Sequence, residues 1–174
     1  MALPEVPCEI LQAEFTVDDR ATFLKQLAHV ADTTGSRIVC FRASSLAGKA
    51  HVTAALSRAA RSFANGDAIA RTLEMEALLF ASGSRQVSMT EAFGIHPGLN
   101  RAYVCICPQS GKAKSLLEGF MHWNQEDWEP IPPEKEKRLR ELFGITDDEL
   151  EALDKSMGIR DLVLERVALL EVYR

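Results

Sequence analysis

Four places in the chain hold residue types that catalysis or ligand binding uses. Glu74 and Glu76 are separated by one residue, as are Cys105 and Cys107; Gln109 to Ser115 carries a Gly-Lys pair among hydroxyls; and Ser82-Gly-Ser-Arg-Gln86 sets an arginine in a small polar loop. The glutamates fail as a catalytic pair, because residues i and i+2 of a helix project to different sides. The cysteine pair lies on an alternating strand pattern, which points both thiols the same way without supplying further metal ligands. All four cysteines, Cys8, Cys40, Cys105 and Cys107, sit in β-branched or apolar runs and are expected to be buried thiols. The Gly-Lys segment lacks the Gly-x-x-x-x-Gly-Lys-Ser/Thr spacing of a phosphate loop. The histidines, His29, His51, His96 and His122, are scattered, so no catalytic residue, metal or cofactor is expected.

The loop is different, because of what must hold it. Thr72 is a good N-cap for a helix with Glu74 and Glu76 in its first turn, and Leu73 to Ala81 is apolar almost all round, which marks the helix as central and buried. Gly83 suits the left-handed position that ends it. Ser88-Met-Thr-Glu91 then has capping-box spacing, with Val87 and Ala92 placed as a hydrophobic staple, for a short helix ending at Gly94. Ser84, Arg85 and Gln86 thus precede a helix N-terminus, where free N–H groups and a guanidinium suit an anion. Arg85 and Gln86 could equally satisfy carbonyls left open by the preceding helix. A second cationic feature lies on the helix expected over 48–64. Val52, Ala55, Leu56, Ala59 and Phe63 form its apolar stripe, and His51, Arg58 and Arg61 fall on the opposite side with no acidic neighbour on that face.

The supporting elements follow from periodicity. Strands are expected over Glu9–Val17, Arg37–Arg42 and Ala102–Cys107, with a helix after Asp18-Asp19 that carries Phe23, Leu24, Leu27 and Val30. Further helices are expected from Lys112 to about Asn124, over Glu134–Phe143, over Thr146–Met157 with Thr146 and Glu149 as a capping box, and over Ile159–Tyr173. A bent linker around Pro130, Pro132 and Pro133 divides them. The reading is one domain over 1–174, mixed α+β, with a small central sheet covered by several helices and a helix-rich C-terminal third. No secretory leader or spanning segment is read from the sequence, so a cytoplasmic protein is expected. The formal charge is −5 overall but +2 over 43–86 and −6 over 123–174, so any nucleic-acid contact must be local.

The run Arg71-Thr-Leu-Glu-Met-Glu-Ala-Leu-Leu-Phe-Ala-Ser-Gly-Ser-Arg-Gln86, followed by Ala92-Phe-Gly-Ile95, resembles the signature of the kinase-binding subunit of the KEOPS complex, the TPRKB family, in its archaeal form. Weaker likeness in element order spans nearly the whole chain except about 111–137. The resemblance implies a non-catalytic α/β protein that binds the complex's atypical kinase/ATPase subunit and, indirectly, its threonylcarbamoyl transferase subunit. It also implies binding of tRNA, including its 3′ CCA end, in support of N6-threonylcarbamoyladenosine formation.

On this reading Arg71, Ser82, Gly83, Ser84, Arg85 and Gln86, with His51, Arg58 and Arg61 outside them, contact tRNA, and an unstacked base sits beside Phe80 or Phe93. The C-terminal helix has more apolar surface than one contact needs, and Leu162, Val163, Arg166, Leu169 and Leu170 are the candidates for docking the kinase. The competing reading is a small phosphate-ligand binder or enzyme that uses the Ser82–Gln86 loop, with Cys105, His51 or His96 as its reactive group.

Overall fold

The structure, a computed structural model, describes residues 7–172. Alternation of apolar residues dictates a sheet covered on both faces. Strands β1 (Glu9–Val17), β2 (Arg37–Arg42), β3 (Gly98–Cys107) and β4 (His122–Trp123) form one antiparallel sheet in the order β2-β3-β1-β4. Along β3, Ala102, Val104 and Ile106 pack on one side with Ile38 and Cys40, whereas Tyr103, Cys105 and Cys107 pack on the other with Val39 and Phe41. The first face is covered by α1 (Arg20–Thr34) and α4 (Gly111–Leu117), and the second by α2 (Lys49–Asn65), α3 (Leu73–Ser82) and α7 (Ile159–Val172). Helix α5 (Pro133–Phe143) and the short α6 (Asp147–Glu151) join α7 in a third apolar cluster around Leu139, Ile145, Leu162 and Val163. The mixed α+β reading stands.

Several local expectations are met and several corrected. Asp19 caps α1 by accepting from Thr22 N–H, and Thr146 and Glu149 close the reciprocal box at the start of α6. The helix read from Lys112 to Asn124 stops at Leu117, and His122 and Trp123 pair with Glu14 and Ala13 as an edge strand. Two residues are too short for alternation to be read. The helix read to Met157 ends at Glu151 in a turn, and Tyr173 lies outside the described residues. Val87–Ala92 is a 3-10 helix without a side-chain cap, so Ser88 and Glu91 form no capping box. Its later carbonyls explain why it goes no further: Ser45 Oγ donates to Ala92 O, Arg42 N–H to Phe93 O, and the Arg42 side chain to Glu91 O and Gly94 O.

The cysteine expectation is half right. Antiparallel pairing of Glu9 with Ile106 sets Cys8 directly opposite Cys107, and the two form a disulfide. Cys40 and Cys105 are buried free thiols, the first pushed up to about 12 by burial.

His51 does not face outward. About 100° per residue puts it only ~40° round α2 from buried Ala55, and it is fully enclosed. Its Nδ1 accepts from Ala47 N–H at 2.9 Å, so Nε2 must carry the proton and donate to Ala81 O at 2.8 Å. The ring thereby ties the start of α2 to the end of α3. Burial, the dominant cause, lowers its pKa to about 4; the bond to Ala81 opposes the shift and nearby Lys135 adds to it.

Both ties can be measured. Cys8→Ser should destabilise the oxidised protein by roughly 2–5 kcal/mol in urea unfolding, and alkylation should count two reactive thiols in the unfolded oxidised chain against four after reduction. Coincident unfolding curves for oxidised and reduced protein would show that the cross-link contributes nothing. His51 is neutral when folded but titrates near its ordinary 6.5 when unfolded, so its contribution is complete above about pH 6.5 and is lost as pH falls toward about 4, amounting to roughly 3 kcal/mol. In NMR titration its ring shifts should stay flat above pH ~5; a midpoint near 6.5 would contradict the buried tautomer.

Candidate functional site

The site is built on the two ends of α3. Thr72 Oγ1 accepts from Met75 N–H at 3.2 Å, and the first-turn glutamates diverge as their spacing requires. Glu76 is fully buried and accepts from Ala70 N–H, whereas Glu74 lies 3.7 Å from Arg37. At the other end Gly83, with φ 64°, takes the left-handed position that a side chain would strain. Its N–H donates to Phe80 O, Ser84 N–H and Ser82 Oγ both donate to Leu79 O, and His51 takes Ala81 O. The carbonyls of Leu79, Phe80 and Ala81 near the end of α3 are thus occupied without Arg85 or Gln86.

That outcome separates the two readings of the loop. Arg85 and Gln86 are exposed, and no hydrogen bond or ion pair from either side chain is present among the described residues. Ser84 Oγ is held inward, accepting from Gln86 N–H at 3.1 Å, and Ser82 is buried. Because the following helix is a six-residue 3-10 run, the loop's suitability for an anion rests on the Arg85 guanidinium rather than on a helix terminus. Exposed Val87 and Met89 adjoin it, while Phe80 and Phe93 are fully enclosed and cannot take a base. Arg71 is exposed and, among the described residues, unpaired as well, but it precedes α3 where Arg85 follows it, with about 15 Å of helix between.

The outer basic stripe is engaged by a residue distant in sequence. Arg58 and Arg61 both pair with Glu171 of α7, Arg61 Nε at 3.3 Å from the carboxylate. With His51 buried, no member of that stripe is a free cation. The acidic C-terminal third does the same at Arg166, which pairs with Glu149 at 2.6 Å. Of the residues expected to dock a kinase, Leu162, Val163 and Leu170 are core; only Leu169 and the flank of Arg166 reach the surface, joined by Val172, which is 71% exposed. Periodicity shows that α7 has apolar residues to spare but not which neighbours use them.

The groups considered for chemistry are poorly placed for it. Cys105 is enclosed and burial pushes its thiol well above the ordinary range; both ring nitrogens of His51 are occupied. His96 Nδ1 lies 2.9 Å from Pro97 O. Among the described residues no cluster of three His, Cys, Asp or Glu side chains could hold a metal ion, and no helix is long and apolar enough to cross a membrane. A cation cluster that sequence reading misses is that of Arg42, Lys135 and Arg138, brought together from β2 and α5. Spacing gives no sign of it, since Arg42 is far in sequence from Lys135 and Arg138.

Residues 16–171 match a protein family described as kinase binding protein CGI-121. No curated protein matches the chain. The family match covers nearly the whole domain, including both ends of α3, the loop after it and all but the last turn's end of α7. The chain therefore belongs to the CGI-121 family of kinase-binding proteins.

Proposed function

We propose that this chain is the kinase-binding subunit of KEOPS, a cytoplasmic, non-catalytic protein that docks the complex's kinase/ATPase subunit and binds tRNA at its 3′ CCA end. Through the kinase it serves the threonylcarbamoyl transferase subunit in N6-threonylcarbamoyladenosine formation. Family membership supports the kinase half. The observation that carries the tRNA half is Arg85, an exposed guanidinium without an ion pair among the described residues, on a loop whose backbone is fixed by the satisfied end of α3. Such a group meets a phosphate without first breaking an internal bond. Val87 and Met89 offer apolar surface for an unstacked base beside it. Ser82, Gly83, Ser84 and Gln86 shape the loop, and Arg71 supplies a second phosphate contact beyond it. The small-phosphate reading of the same loop has less support, because Ser82 and Ser84 are engaged internally and no reactive group is available among the described residues.

Arg85→Ala should weaken tRNA binding and flatten the slope of log affinity against log salt by about 0.7 for each phosphate that the variant no longer neutralises. Unchanged affinity at low salt would take the loop out of the tRNA site. For the kinase, the exposed edge of α7 is the surface to test. A Leu169→Asp/Val172→Asp variant should remain folded and lose co-purification of the kinase, whereas Leu162→Asp should unfold the domain, since that side chain is 5% exposed. Retention of the kinase by the folded double variant would place docking elsewhere.

A further inference from the structure

A cleft of about 840 Å³ opens between the end of β2 and the first turns of α5. Its cationic wall is made by Arg42, Lys135 and Arg138. The two guanidiniums are oriented by one segment of backbone. Arg42 donates through Nε to Gly94 O at 3.1 Å and through Nη2 to Glu91 O at 3.0 Å; Arg138 donates through Nη2 to Ala92 O at 3.3 Å and, with Nε, to Ser45 Oγ at 3.0 and 3.2 Å. Neither Nη1 has a partner among the described residues, and no carboxylate there lies within 4 Å of Arg42, Lys135 or Arg138. Lys135 is half-buried and makes no hydrogen bond among those residues. After burial, the charge of Arg138 lowers the pKa of Arg42; Lys135 is lowered to about 8 by burial and then by Arg160, which does not line the cleft, with Glu129 opposing.

The remaining walls narrow the class of ligand. Exposed Leu99 gives apolar surface; Trp128 is 8% exposed, its ring carrying the Arg101 guanidinium and packing against Tyr103, and its Nε1 is a buried donor with no partner among the described residues. Glu126 and Asp127 line the cleft, but Glu126 is taken by Arg101 at 3.0 Å and Asp127 accepts from Glu129 N–H. With Glu134 on the rim, these carboxylates would repel a polyanionic strand running through, yet leave room for one terminal phosphate against the cationic wall. Forked guanidiniums suit a dianionic oxyanion, and the volume suits a drug-sized organic molecule. We propose that this cleft binds a small organic phosphate monoester of the nucleoside monophosphate class. Arg42 and Arg138 hold the phosphate, Lys135 completes its charge, and the exposed Leu99 side takes the organic part.

The test is isothermal titration of the full chain with AMP and, separately, inorganic phosphate. AMP should bind one per chain. Lys135→Gln, which breaks no internal hydrogen bond, should weaken it roughly tenfold or more; Lys135→Arg should recover binding lost in Lys135→Gln, and the distant surface variant Lys25→Gln should keep wild-type affinity. Because AMP is a dianion above about pH 7, affinity should fall in the wild type as pH rises through about 8, with the loss of the Lys135 proton. It should stay flat in Lys135→Arg. The charged and titratable groups facing Lys135 are Arg160 of α7, Glu129 of the linker, Arg101 of β3 and the ring of His51 in α2, with Arg42 and Arg138 lining the same cleft. Absence of AMP binding at millimolar ligand, equal affinity in Lys135→Gln, or inorganic phosphate binding as tightly as AMP would each overturn the proposal. Lys135-dependent binding of tRNA but not AMP would overturn it in favour of RNA.

Discussion

The end of α3 sets what the rest of the molecule can offer. A helix leaves its last carbonyls without intrahelical partners, and here those of Leu79, Phe80 and Ala81 are taken by Gly83, Ser84, Ser82 Oγ and the buried ring of His51. His51 reaches Ala81 only because Ala47 N–H occupies its other nitrogen, so α2, the turn before it and α3 are locked in one arrangement. Removing the ring would leave two buried backbone groups unpaired, each costing about 1–3 kcal/mol. The loop that follows inherits a fixed origin, and its arginine has nothing left to satisfy within the protein.

Charge is distributed on the same logic. The acidic C-terminal third folds back on the basic middle, where Glu171 of α7 clamps Arg58 and Arg61. The cations left for ligands are selected by position: Arg71 and Arg85 at the ends of α3, and Arg42, Lys135 and Arg138 around the cleft. The short segment 87–94 follows the loop that carries Arg85, and its carbonyls hold Arg42 and Arg138 in place. Both proposed sites, the tRNA loop and the phosphate cleft, thus share a backbone support.

Three of the four strands, α3 with its caps and the divergence of Glu74 from Glu76 are legible in the sequence because alternation, helical spacing and cap chemistry are local. His51 is misread there because a helical wheel gives an angle and not the neighbour; its ~40° from Ala55 becomes interior only when α3 covers it. The same holds for Arg58 and Arg61, whose partner lies more than a hundred residues away on another helix. The Cys8–Cys107 bridge depends on strand register, and the cleft depends on α5 meeting the end of β2. Neither is written in spacing. The buried and exposed residues of α7 alternate by tertiary contact rather than composition, so of five candidate docking residues three belong to the core.

The proposed role turns on whether the fixed loop after α3 presents Arg85 to the 3′ end of tRNA. Affinity of the isolated chain for intact tRNA against tRNA trimmed of its CCA end tests it most directly, in wild type and in Arg85→Ala. Wild type should bind intact tRNA more tightly than trimmed, and Arg85→Ala should no longer distinguish them. Equal affinity of the wild-type protein for both tRNAs would contradict this role.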